Sequence, residues 1–150
     1  MKRRIATRAI IVKDSKLLAV KLTGYMSGSD KPNEYWCTIG GGVVDKEPLE
    51  DAIKREVIEE TGITPVVGSL LYVQQYYTEG DDTEHIEFFF HVTNSDDFMN
   101  INLSKTTHGL EEISEIAFID PPKEYLLPDF LKHQDYTNLE TKSTQFFNYL

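Results

Sequence analysis

Residues 48–62 constrain the fold of this chain more than any other stretch. Pro48 suits the first turn of a helix, where its missing N–H is not needed, and Gly62 suits a left-handed stop. The segment between them predicts a helix over residues 48–61. On a wheel of about 100° per residue with Leu49 at the origin, Ala52 falls at about 300°, Ile53 at about 40° and Val57 at about 80°. That arc is the face a surface helix turns inward. Glu59, Glu56 and Glu60 fall at about 280°, 340° and 20°, inside the same arc. Glu50, Asp51 and Lys54 lie on the opposite, solvated side. Ile58 breaks the pattern and is expected to pack under a neighbouring element.

A buried, unpaired carboxylate is disfavoured by several kcal/mol, and clustered ones repel each other as well. Protonation, basic partners or a metal ion would relieve this. Arg55 can pair with Glu59 one turn on, but one arginine does not neutralise three charges. Hard divalent cations take oxygen ligands and match the deficit. The plainer alternative is an acidic ridge at the end of an amphipathic helix.

The whole chain is acidic, with a formal net charge of −10. That argues against a sequence-independent nucleic-acid coat, which needs basic surface. It does not argue against a phosphorylated substrate, because metal ions bridge like charges. Cys37 is the only cysteine, which excludes an intrachain disulfide framework and a cysteine-based zinc site. It is read as a small core residue, and a reducing cytosol as the natural home, so the expected localisation is cytoplasmic. The first twelve residues have a basic flank but no long apolar run, so they are not read as a signal peptide. No uninterrupted apolar run exceeds four residues, so nothing is expected to span a membrane. At 150 residues the chain is expected to form one domain over 1–150.

Around the helix the pattern is that of strands. Residues 5–12 and 17–22 are two β-type runs flanking Asp14, Ser15 and Lys16, which reads as a hairpin. Residues 23–34 are a loop, and 35–39 a short strand. Gly40, Gly41 and Gly42 then allow a tight turn and a close backbone approach. Residues 66–77 and 85–93 are longer strands, joined by an acidic turn at 78–84. Residues 94–110 read as a polar loop, 113–119 as the last strand, and 125–132 and 139–149 as short helices. Strands mixed with a few helices indicate a layered α/β domain.

From Gly41 the chain runs five residues to Glu47, seven more, and then Arg55-Glu56-Val57-Ile58-Glu59-Glu60-Thr61-Gly62-Ile63. This resembles, at every defining position, the signature of the Nudix hydrolases, the family of MutT-like domains. The resemblance implies an α/β/α sandwich with a mixed central sheet. It implies a hydrolase that cuts a phosphoanhydride bond in a nucleoside diphosphate linked to another group, or in a nucleoside triphosphate. It implies that Glu56, Glu59 and Glu60 hold magnesium or manganese, with the carbonyl of Gly40 beside them. Arg55 and Glu47 match a pair that fixes the orientation of those ligands. Glu56 or Glu59 is implied as the acceptor of the proton from water. Partners would be small-molecule nucleotides, and dimerisation is common in the family.

Other candidates come from elsewhere in the chain. A further acidic ligand or base is sought in Glu111 first, then Glu112 or Glu87, although each is ordinarily expected to be solvated. Arg8 shares strand parity with Ala6 and Ile10, so it points toward a packed layer; Arg8 and Gly41 are the candidate substrate contacts. Tyr35, Trp36, Tyr76 and Tyr77 are candidates for stacking on a base, with core packing the plainer reading. The four histidines show no ligand spacing and read as structural or exposed. The loops 23–34 and 78–84 are expected to border the pocket. Two other readings compete: a non-catalytic nucleotide-binding module, and an RNA 5′-end-processing enzyme, against which the net charge of −10 argues.

Overall fold

Strand pairing sets the frame. This computed structural model describes residues 1–24, 33–107 and 109–150, and of Leu110 the backbone alone. In chain order the elements are β1 (Lys2–Ile10), β2 (Val12–Lys13), β3 (Lys16–Leu22), β4 (Gly40–Gly42), the helix α1 (Leu49–Thr61), β5 (Val67–Thr78), β6 (Thr83–Val92), the single turn α2 (Gly109–Glu112), β7 (Ile113–Ile119) and β8 (Gln145–Asn148). Five strands form a mixed sheet in the order β4-β1-β6-β5-β8, and three form an antiparallel sheet in the order β2-β3-β7. In the larger sheet β1 runs parallel to β6 and β5 to β8, whereas β1–β4 and β5–β6 are antiparallel.

Side chains two apart on a strand share a face, so a strand between two layers feeds two cores. Ala9, Phe90 and Val92 meet Leu18, Val20 and the α1 residues Ile53 and Val57. Ile10, Tyr72 and Phe89 meet Leu17, Leu126 and Phe130 on the other side. Ile53 and Val57 are fully buried, which stabilises by roughly 1.5–3 kcal/mol each. Gly62 ends α1 at φ 74°, its N–H bonded to the Ile58 carbonyl at 2.8 Å. The α/β class and the mixed central sheet are as the resemblance implies. The layer opposite α1 consists of 3-10 turns, Asp129–His133 and Leu139–Thr141. Among the described residues no helix is long and apolar enough to cross a membrane.

Several local expectations give way to tertiary pairing. The run 5–12 divides at Ile11: β1 joins the larger sheet, and only β2 makes the hairpin with β3, turned by Asp14 and Ser15 at φ 51° and 62°. Residues 35–39 contribute only isolated bridges, Trp36 to Leu126 and Cys37 to Val20, while the strand itself is the glycine run β4. The stretch 139–149, expected as a helix, supplies β8, and 125–132 holds a 3-10 turn rather than an α-helix. Ile113–Ile119 is a strand as expected but not the last. Ile58 is 41% exposed and packs under nothing substantial. Most of the loop 23–34, and His108, lie outside the described residues.

Candidate active site

Arg55 organises the acidic end of α1. Its Nε and Nη2 donate to the two carboxylate oxygens of Glu47 at 2.8 and 2.9 Å. Nη1 donates to Glu56 at 3.0 Å and to Glu59 at 3.4 Å, and Nη2 reaches the Gly42 carbonyl at 3.0 Å. One guanidinium thus ties α1, the loop before it and β4 together, as a planar fork of five N–H donors allows and a lysine does not. The hydrogen bonds from Arg55 hold the Glu47 carboxyl below its usual range. Glu47 also accepts the Val44 N–H at 3.2 Å, which pins that loop.

Glu60 lies deeper. It is 3% exposed and accepts the Gly40 N–H at 3.2 Å. Burial, and then the charge of Glu56, push its carboxyl up to about 8 despite the pull of Arg8. Burial also raises Glu56, against Arg55. The glycines of β4 permit this crowding. A Cβ on Gly41 would lie 2.6 Å from the carboxyl carbon of Glu56, and one on Gly40 would overlap the Thr7 carbonyl of β1.

Glu56, Glu60, Gly40 and Gly41 border a polar cavity of about 390 Å³ together with Arg4, Arg8 and Glu112. A second cavity of about 460 Å³ adjoins it, since Arg8 and Leu22 line both. Tyr35, Tyr76, Tyr149 and Leu127 wall this second cavity, and Gln74 and Glu87 also line it. Arg8 reaches it from β1, donating from Nε to Glu87 at 3.0 Å. Gln74 Nε2 donates to the other Glu87 oxygen at 2.6 Å. Burial alone would raise the Glu87 carboxyl, but Arg8 and the two hydrogen bonds bring it below its usual range. Burial opposes the charge on Arg8 too, and Glu87 prevails there.

Glu87 is therefore not the solvated carboxylate expected of it: it is 3% exposed, with its partner arginine 79 residues away in sequence. Glu59 stays at the Arg55 clasp, 29% of its side chain exposed, and does not line the polar cavity. Of the adjacent glutamates in α2, Glu112 lines the cavity and Glu111 does not. A rotation of about 100° per residue keeps both from facing one point. No residue of 78–84 lines either cavity. Trp36 packs against the second core under the Lys21 ammonium, and Tyr77 is 44% exposed, so neither borders the cavities. Cys37 lines the aromatic cavity, where burial raises its thiol. His85 stacks on Tyr76 at 4.5 Å, His91 is buried and His133 is exposed. Sequence reasoning missed Arg4, Gln74 and Tyr149. Arg4 shares strand parity with Arg8, and Gln74 is a polar residue inside an apolar strand, so both left a signal. Tyr149 left none.

The donor set suits a hard divalent cation. Every donor is oxygen: Glu56, Glu60, Glu112, the Gly40 carbonyl, and Glu59 after a side-chain rotation. Burial and the neighbouring Glu56 both disfavour the charged form of Glu60, and a bound cation would favour it. Among the described residues no three acidic, histidine or cysteine side chains converge as a ready-made cage. Arg55 draws Glu56 and Glu59 toward itself.

Residues 2–138 match the NUDIX domain family, and the chain belongs to that family. NUDIX hydrolases in general use divalent metals. An ADP-ribose pyrophosphatase of Methanocaldococcus jannaschii is 39% identical over 70 residues, 46% of this chain and 38% of that protein. The match thus spans well under half the length of that relative. Among solved structures, the E. coli ORF135 protein superposes with a TM-score of 0.65 at 24% identity, covering 87% of this chain and 85% of that one. A MutT NUDIX hydrolase from Burkholderia pseudomallei gives 0.63 at 20% identity, covering 81% and 85%. An ADP-ribose pyrophosphatase from Streptococcus suis gives 0.60 at 15% identity, covering 95% and 98%. At these identities the structural likeness is one of fold.

Proposed function

We propose that this chain is a divalent-metal-dependent pyrophosphohydrolase acting on a nucleotide, either a nucleoside diphosphate linked to another group or a nucleoside triphosphate. One observation carries the reading: the acidic cavity around Glu56 and Glu60 adjoins, across Arg8, an aromatic cavity of about 460 Å³. That volume falls in the range of small-ligand sites. A nucleoside fills the aromatic side, and its phosphates lie across Arg8 at the acids.

Magnesium or manganese, held by Glu56, Glu59 and Glu60 with the Gly40 carbonyl, would neutralise phosphate oxygens and acidify a water. Arg8 and Arg4 supply the remaining positive charge at the phosphates. Glu56 or Glu59 takes the proton of the attacking water. A new P–O bond forms to the water oxygen as the anhydride P–O bond breaks, and the bridging oxygen departs with its phosphate. Arg55 and Glu47 keep the acids in place through this. Gly41, without a side chain, lets Glu56 lie against the backbone. The relatives named as ADP-ribose pyrophosphatases support a nucleoside diphosphate derivative as substrate. The lone thiol Cys37 fits a cytoplasmic setting.

Hydrolysis of ADP-ribose, nucleotide sugars, dinucleoside polyphosphates and ordinary and oxidised nucleoside triphosphates, with magnesium and with manganese and read as the nucleotide products by chromatography, tests the reading. At least one is hydrolysed only with metal. Glu60→Gln lowers that rate by more than the roughly 10–100-fold typical of outer-sphere partners. No turnover across the panel, or a full rate in Glu60→Gln, overturns it.

A further inference from the structure

Both oxygens of Glu87 are engaged, one by Arg8 Nε at 3.0 Å and the other by Gln74 Nε2 at 2.6 Å. An ionised carboxylate only accepts, so only the amide nitrogen of Gln74 can face it. The usual ambiguity between the oxygen and nitrogen of a carboxamide is thereby removed. Gln74 is 3% exposed and lines the aromatic cavity, and its Oε1 finds no partner among the described residues. The Thr38 hydroxyl, on another lining residue, is buried without a partner. A hydroxyl turns to donate or accept, so Thr38 gives the cavity no polarity. Gln74 does.

We propose that the chain Arg8–Glu87–Gln74 sets the hydrogen-bond polarity of this cavity, so that Gln74 Oε1 accepts from an exocyclic amino group on the base of the substrate. Glu87 is a positioning residue, acting through the amide it orients. The inference rests on the nucleotide reading above and narrows it to amino-bearing bases such as cytosine or adenine, over their oxo counterparts uracil and hypoxanthine. An oxo group would set oxygen against oxygen and leave a buried acceptor unpaired.

Substitution at Glu87 changes that polarity without touching the base. In Glu87→Gln the new side-chain oxygen still accepts from Arg8, while its amide becomes a donor. Gln74 then turns its oxygen toward that donor and its Nε2 toward the cavity. Adding Gln74→Glu to Glu87→Gln reverses the change. The new carboxylate accepts from the new amide through one oxygen and offers the other to the cavity.

The experiment is calorimetric binding of CMP against UMP, and of AMP against IMP, to the wild type, Glu87→Gln and the double variant. Binding is read instead of turnover, so hydrolysis is not required. The wild type binds the amino member of at least one pair about tenfold tighter or more. Glu87→Gln abolishes or reverses that ratio, and the double variant recovers it. A Glu87 that merely braced the fold would weaken all four ligands alike and gain nothing from the second substitution, which overturns the proposal. Equal binding of amino and oxo members by the wild type overturns it too and leaves the nucleotide reading standing. Binding of none of the four overturns the proposal, and turnover across the substrate panel then decides the nucleotide reading. The wild-type comparison does not depend on any variant folding.

Discussion

Gly41→Ala separates the site from the scaffold. The new methyl would lie 2.6 Å from the Glu56 carboxyl carbon and 2.6 and 2.7 Å from its oxygens, where ordinary contact begins at 3.4 Å. The carboxyl group must therefore move by about 0.8 Å (3.4 − 2.6). What moves is the far end of a flexible side chain, and Gly41 is not in a left-handed conformation, so the backbone accepts alanine. An off-rotamer shift of this kind is disfavoured by about 0.5–1.5 kcal/mol. In a chain of this length that is a fall of roughly 2–4 °C in Tm per kcal/mol. Catalysis is far more sensitive, because a misplacement of about 1 Å lowers the rate by about 10²-fold. The expected result is a melting curve displaced by a few degrees and metal-dependent hydrolysis reduced about a hundredfold. Gly80→Ala, where a Cβ meets nothing within 4 Å, is the control and changes neither. An unimpaired rate in Gly41→Ala would refute the placement of Glu56 at the reacting centre. Outright unfolding would show that the glycine serves the sheet and not the site.

Arg55→Lys removes the two-pronged grip on Glu47 and the reach to Gly42, and is expected to weaken apparent magnesium affinity by about 10–100-fold; rate against magnesium concentration measures it. At neutral pH, Glu87→Gln weakens a hydrogen bond to a charged group and lowers stability by about 1.5–3 kcal/mol. Its pH dependence has a defined sign. The folded Glu87 carboxyl is held below the unfolded value of 4.5. The ionised pair therefore stabilises fully above that value, and the gain is lost as pH falls through the folded value. The stability gap between wild type and Glu87→Gln, from urea unfolding, should narrow on going from about pH 6 to pH 3. Phe147 is half-buried and stacks on Phe130 at 4.0 Å, so Phe147→Ala is expected to lower stability by about 2 kcal/mol, part of the cost at a fully buried site. Its neighbour Phe146 is 76% exposed, and Phe146→Ser should stay within about 0.5 kcal/mol by the same unfolding assay.

What was legible in the sequence is what local physics decides. The bounds of α1 follow from Pro48 and Gly62, and its inward face from helical periodicity, and both are present. β6 and β7 are likewise written in their own residues. β8 is not. Residues 139–149 look helical in isolation, but Gln145–Asn148 pairs with Tyr72–Gln75 of β5, more than seventy residues earlier. The glycine run reads locally as a turn, yet it is a strand because β1 lies too close for any side chain at Gly40. In each case the deciding neighbour is remote, and a window of a few residues does not contain it.

The same division runs through the site. The Arg55 clasp is legible because Glu47, Glu56 and Glu59 lie within eight residues of it. The Glu87 site is not, because its charge partner and its amide partner come from two other strands. A lone glutamate in a strand is ordinarily solvated, and that prior fails only where something remote makes burial tolerable. Arg8 does so here, and the consequence reaches the chemistry. A guanidinium bound to Glu87 has committed its Nε, while Nη1 leans on the Thr38 carbonyl at 3.4 Å. The remaining donors stand at the seam between the two cavities. Neutralising Glu87 would leave that arginine less firmly anchored, and phosphate grip and base polarity would then change together. If the nucleotide lies across Arg8 as proposed, a single buried ion pair in the sheet couples the two ends of its pocket.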